Sequence, residues 1–189
     1  MAAGKTQYNY VEQILTSTTN PPPPCIVSFW HMPARSKGTI DAARAAMWKL
    51  LTDNGGGLVL NGHLHSMVEY QPLDDALRAS SSGRATMVEL VNGAGGHEVS
   101  STPTGDAQVA WAQAQTTGTI QLRLNDAAMG GTPHHLSWRY QDENGGTLHS
   151  GSRDCVRKAA RLRPTHATRL LRAQADSPGP PPTDDRSGR

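Results

Sequence analysis

Leu58-Val59-Leu60-Asn61-Gly62-His63-Leu64-His65 is the stretch that decides the fold. Its apolar run reads as a buried strand, and Asn61-Gly62 stops that strand. The imidazoles that follow in alternate positions are carried past the strand's carboxyl end, the edge where ligands gather in α/β folds. One residue apart, His63 and His65 can reach two neighbouring metal ions, or one. Taken alone, the pair is accounted for equally well by two polar surface histidines.

A second apolar run, Cys25-Ile26-Val27-Ser28-Phe29-Trp30, also ends at a histidine, in Trp30-His31-Met32-Pro33. Thr39 to Asp53 has helical spacing, with Ile40, Ala43, Met47, Leu50 and Leu51 as its apolar face and a stop at Asn54-Gly55-Gly56-Gly57. Strand, helix, strand predicts a parallel pair joined by a right-handed crossover. His31 then falls near His63 and His65. Three imidazoles on one sheet edge point to a metal site.

Trp-His-x-Pro, a helix, and then Val-Leu-Asn-Gly-His-x-His resemble the second half of the calcineurin-like metallophosphoesterases. The nearest branch holds the purple-acid-phosphatase-like and secreted alkaline-phosphatase-like enzymes, and the resemblance runs from about Gln7 to Cys155. The family carries, in order, Asp-x-His, Gly-Asp-x-x-Asp, Gly-Asn-His-Asp/Glu, a lone His and Gly-His-x-His. Only the last two occur here: His31 matches the lone histidine, and Gly62, His63 and His65 match the final motif. The fold implied is a partial α/β/β/α sandwich, a mixed sheet plus antiparallel strands, lacking its amino-terminal half.

The resemblance also implies the chemistry, phosphate ester hydrolysis at two divalent metals (Zn, Fe or Mn) about 3.5–4 Å apart, with a metal-bound hydroxide as nucleophile. His31 and His63 would ligate one ion and His65 the other. The bridging Asp, the Asn ligand and the general-acid His belong to the absent motifs. Such a half-domain would be weak or inactive alone, and its partners would be a phosphate ester and a polypeptide supplying the rest. The alternative is a non-catalytic binding module built on the same fold. Arg35, on the polar loop Pro33–Gly38 beside the ligands, is the candidate substrate-binding residue, since Arg pairs with phosphate oxygens.

Elsewhere the residues set bounds. The 189 residues suffice for one domain with a sizeable core. Residues 155–189 hold eight Lys/Arg against three Asp, leaving ten against thirteen acids in the rest. An acidic body with a basic tail does not describe a nucleic-acid binder. Two domains follow: a body over 1–155, and over 156–189 a basic then Pro/Gly-rich tail that buries too little to order itself. No run reaches membrane-spanning length, and the polar start lacks a signal-peptide core, which leaves the compartment open.

The two cysteines allow one bridge or two free thiols, and Cys25 at a strand start reads as a packed small hydrophobe. Gln7–Thr16 is predicted as an amphipathic helix, and Thr16–Pro24 as a proline-rich loop. Ser66–Gln71 is extended, with Glu69 and Tyr70 near the cleft rim, and Asp74–Gly83 is a surface loop. Thr86–Val91 is a strand running into the tightly packed Asn92-Gly93-Ala94-Gly95-Gly96 turn, with His97 and Glu98 a surface pair beyond it. Residues 100–117 read as a mobile insertion. Gly118–Leu124 and His135–Tyr140 alternate with period two, as an antiparallel pair does. His134, His135 and His149 are assigned to loops or strand surfaces.

Overall fold

The structure is a computed structural model that describes residues 3–81, 86–96, 98–99, 101, 105–125 and 134–155. The expected tail over 156–189, His97 and the linker at 126–133 lie outside the described residues. α1 spans Thr6–Leu15, and the prolines that follow deliver the chain to β1, Ile26–Phe29. α2, Ala42–Asp53, crosses to β4, Gly56–Asn61, which pairs with β1 in parallel. β5 (Met67–Tyr70), β6 (Val88–Asn92) and β7 (Val109–Gln113) complete a five-stranded mixed sheet in the order β1-β4-β6-β5-β7. β8 (Gly118–Asn125), β9 (His135–Asp142) and β10 (Thr147–Asp154) form an antiparallel sheet in the order β10-β9-β8.

The layers follow from alternation along the central strands. Val59, Val68, Tyr70, Met87 and Val91 face α2, where Met47, Trp48, Leu50 and Leu51 close one core. Leu58, Met67, Val88 and Leu90 face the other way, onto Leu136, Trp138 and Tyr140 of β9. A strand clothed on both faces must be apolar throughout, which is why β4 is a continuous apolar run. Each large side chain buried this way contributes about 1.5–3 kcal/mol. Two polar atoms are satisfied inside: Trp48 Nε1 donates to the Asp74 carbonyl at 2.8 Å, and the Tyr140 hydroxyl donates to the Val68 carbonyl at 2.6 Å. The molecule is thus an α/β/β arrangement, with a mixed sheet and then antiparallel strands. Among the described residues no helix is long and apolar enough to cross a membrane.

Several local expectations change. Pro33–Gly38 is not open loop: β2 (Arg35–Ser36) and β3 (Thr39–Ile40) form a small hairpin. Its two turn residues, Lys37 (φ 48°) and Gly38 (φ 80°), both sit at positive φ, as a two-residue primed turn requires. The helix therefore begins after Asp41, whose carboxylate caps the Arg44 amide at 2.9 Å. Ile40, assigned above to the core, is 40% exposed on the hairpin. In the stretch expected to be a surface loop, Asp74 and Leu77 are buried. Asp74 turns the chain by accepting from the amides of Ala76 and Arg78 at 2.9 and 3.1 Å.

Within the expected insertion, β7 joins the main sheet through β5 and Asp106 is buried. Cys25 and Cys155 are bonded to each other, 130 residues apart, so Cys25 is neither a free hydrophobe nor a thiol.

Candidate functional site

β1 and β4 end side by side, and three hydrogen bonds hold their exits together. Trp30 N–H donates to the Leu60 carbonyl at 3.2 Å, and Gly62 N–H to the His31 carbonyl at 3.0 Å. Asn61 Nδ2 donates to the Trp30 carbonyl at 2.8 Å. The chain then makes two successive three-residue turns, Leu64 N–H to the Gly62 carbonyl and Ser66 N–H to the Leu64 carbonyl, both 2.7 Å. His63 and His65 occupy their central positions. At His63 φ is 66°, the rarer and strained form of such a turn, and strain of this kind persists where surrounding structure fixes it.

That surrounding structure includes Gly93: any Cβ there would collide with the Leu64 carbonyl, and its N–H donates to the Ser66 carbonyl at 3.2 Å. The glycine-rich turn after β6 is thus tight packing beneath the histidines.

His31 and His63 come together, their ring centroids 5.3 Å apart and nearly perpendicular at 78°, and both are exposed. His65 lies on the next turn, half-buried. Among the described residues no three His, Cys, Asp or Glu side chains are grouped so as to share a metal ion. A zinc centre needs three protein ligands even when catalytic. The donors present therefore do not fit a two-metal centre by themselves.

Arg35 does not offer its guanidinium to the cleft. Its Nε donates to both Asp106 oxygens at 3.1 and 3.0 Å and its Nη2 to Oδ1 at 2.7 Å, while Nη1 reaches the Leu77 carbonyl at 3.3 Å. Burial pushes the Asp106 carboxyl up, but Arg35 together with the amides of Gln108 and Gly38 outweighs it and holds the group below the ordinary carboxylate range. Both partners of this pair are largely or wholly buried, so its role is to fix the hairpin against the loop before β7.

Glu89, the second residue of β6, is wholly buried beneath the same segment. Its Oε1 accepts from the Ala34 amide at 2.7 Å and its Oε2 from the Arg35 amide at 3.3 Å. Burial drives its pKa up to about 8, against the pull of those two amides and of Arg35 and Arg44. The chain that leaves His31 is thus tied down three residues later by a buried carboxyl. The sequence carries one signal of this, a lone acid inside the apolar run Met87–Val91.

Glu69 and Tyr70 are not at a rim. Tyr70 is buried on the helix side, whereas Glu69 lies between the sheets, where its Oε2 accepts from Trp138 Nε1 at 2.6 Å. His149, expected on a surface, stacks on Trp111 with centroids 4.6 Å apart and planes 11° from parallel. Its Nε2 stands 3.2 Å from the same Glu69 oxygen without the geometry of a hydrogen bond.

No protein-family model and no curated protein matches the sequence. Solved structures do match. The purple acid phosphatase PPD1 from yellow lupin (Lupinus luteus) seeds aligns with a TM-score of 0.64 at 16% identity, over 81% of this chain and 29% of that one. GAP50, described as the anchor in the inner membrane complex of Plasmodium, aligns at 0.61 and 14%, over 81% of this chain and 43% of its own. PhoD aligns at 0.53 and 15%, over 80% and 32%. The fold is purple-acid-phosphatase-like. The chain spans less than half the length of each of these structures.

Proposed function

We propose that this chain is the carboxyl-terminal half of a metallophosphoesterase domain, a metal-dependent hydrolase of phosphate esters. On this reading it contributes His31, His63 and His65 to a dinuclear centre whose carboxylates come from another polypeptide segment. One observation carries the reading: two parallel strands end together and present His31 and His63 with ring centroids 5.3 Å apart. The bound ions would supply Lewis acidity and an activated water. What this chain's own residues do is hold the imidazoles, through the Asn61 clamp and the double turn, and fix the adjoining loop through Glu89 and Arg35. Among the described residues no three-donor group is present to retain an ion without that segment. A second reading, a non-catalytic binding module, draws support from a neighbour described as an anchor.

A metal-supplemented aryl phosphatase assay on the isolated chain, beside a mixture with a fragment carrying the three missing motifs, tests this. The isolated chain should show only a trace of turnover and sub-stoichiometric Zn, Fe or Mn. The mixture should gain both, and His31→Ala and His63→Ala should each remove the gain. Turnover of about 1 s⁻¹ or more, the low end of ordinary enzymes, by the chain alone would sink the half-site argument. A mixture that forms but stays metal-free would favour the binding module.

A further inference from the structure

We infer that the outer face of the antiparallel sheet binds a phosphate dianion, free or carried as the monoester of a small hydroxylated molecule. β9 turns Leu136, Trp138 and Tyr140 inward, onto the five-stranded sheet, so Ser137 and Arg139 between them face outward. Residues directly opposite one another in an antiparallel pair share a face. Arg123 on β8 and Ser152 on β10 both lie opposite Ser137, and Gln121 and Ser150 both lie opposite Arg139. Two adjacent rows of three thus form one outward patch. These six residues line a depression of about 480 Å³, within the range of roughly 300–1,000 Å³ usual for small-molecule sites.

Its shape and charge follow from the residue types. Three short serines beside two long arginines and a glutamine leave room above the strands. All six side chains can donate a hydrogen bond, and none carries negative charge. Arg139 Nη2 donates to the Gln121 amide oxygen, which orients that guanidinium without neutralising it. Among the described residues no carboxylate forms an ion pair with Arg123 or Arg139. The acid of the next row, Asp154, stands 2.7 Å from Nδ1 of His135, its neighbour across the strands.

An outward sheet face is ordinarily wet, and that alone accounts for scattered charges of both signs. It does not account for this arrangement. Cross-strand pairs of opposite charge stabilise a sheet, yet only serine and glutamine stand opposite the two arginines. Arg123 and Arg139 are diagonal neighbours, roughly 7–8 Å apart between their strands, so they repel unless an anion lies between them. A phosphate there takes paired N–H bonds from the guanidinium forks. The serine hydroxyls donate to its remaining oxygen or accept from a hydroxyl of the ligand. The patch lies across the inter-sheet core from β4, uses none of the histidines and does not depend on the split-domain reading.

The test is an NMR titration of the full chain in EDTA and low salt at about pH 7.5, where a phosphate monoester is mainly dianionic. It follows the arginine Nε–H signals and the amides of Ser137, Ser150 and Ser152. Inorganic phosphate and glycerol phosphate are the probes, with glycerol as the uncharged control. Phosphate should move these signals together and saturably, with a Kd of about 1 mM or tighter, and added salt should weaken it. Arg123→Gln and Arg139→Gln should each raise Kd about tenfold, the loss of one charge-assisted pair. Ser150→Glu keeps both arginines but sets a carboxylate opposite Arg139, and should weaken binding as much. Arg78→Gln, an exposed arginine outside the patch, should leave Kd unchanged. Tighter binding of glycerol phosphate makes the ester the ligand, and otherwise the free dianion is. No saturable shift, or glycerol binding as tightly as its phosphate, would overturn the proposal. So would a Kd indifferent to both arginine variants, or binding lost in His31→Ala instead, which would put the phosphate at the imidazoles.

Discussion

Glu89 shows how one side chain ties the fold to the site. A carboxyl in a central strand costs stability when charged unless donors surround it, and here two amides of the site loop supply them. Burial still wins, and the pKa rises from 4.5 to about 8. Between those values the folded protein binds a proton that the unfolded chain has released. Stability must therefore fall as pH rises from about 4.5 to about 8, and level off above that. The slope at its steepest is on the order of 1.4 kcal/mol per pH unit. Glu89→Gln has no proton to lose. Urea denaturation of both proteins at pH 5, 6.5, 8 and 9 should show the wild type losing ground to the variant across this window. Parallel curves would mean that the carboxyl is charged throughout.

At the scale of elements, the disulfide joins the entry to β1 with the exit from β10. A bridge across 130 residues restricts the unfolded chain strongly. Replacing both cysteines by serine should cost roughly 2–5 kcal/mol, measured by urea denaturation, and reduction of the wild type should match it. The elements themselves were legible in the sequence wherever one periodicity ruled. β1, α2, β4 and the β8–β9 pair follow from apolar runs or alternation, and the approach of His31 to His63 follows from the crossover. What stayed hidden depends on partners distant in sequence. Asp106 looks like loop until Arg35 meets it from 71 positions away. His149 looks like surface until Trp111 slides under it. Trp48, off the stripe read as apolar, is buried because Asp74 offers its indole a carbonyl. The hairpin at Lys37-Gly38 was missed because its strands are two residues each, too short for any period to register.

For the whole molecule, the five-stranded sheet is a shared wall. β4 sends Val59 to the helix side and Leu58 to the sheet side, so neither core can loosen without moving the other's support. Leu51→Ala on the helix side and Leu136→Ala on the sheet side should each cost about 2–5 kcal/mol. Both should shift one transition, seen alike by tryptophan fluorescence and far-ultraviolet circular dichroism. Two separate transitions would show that the layers fold independently. The bridge between Cys25 and Cys155 has a further consequence for this body. With its two ends bonded, the span from 25 to 155 is a closed circle of covalent bonds. A protease that nicks any loop inside that circle opens the ring without parting it, so both pieces stay one particle until a reductant severs the clasp.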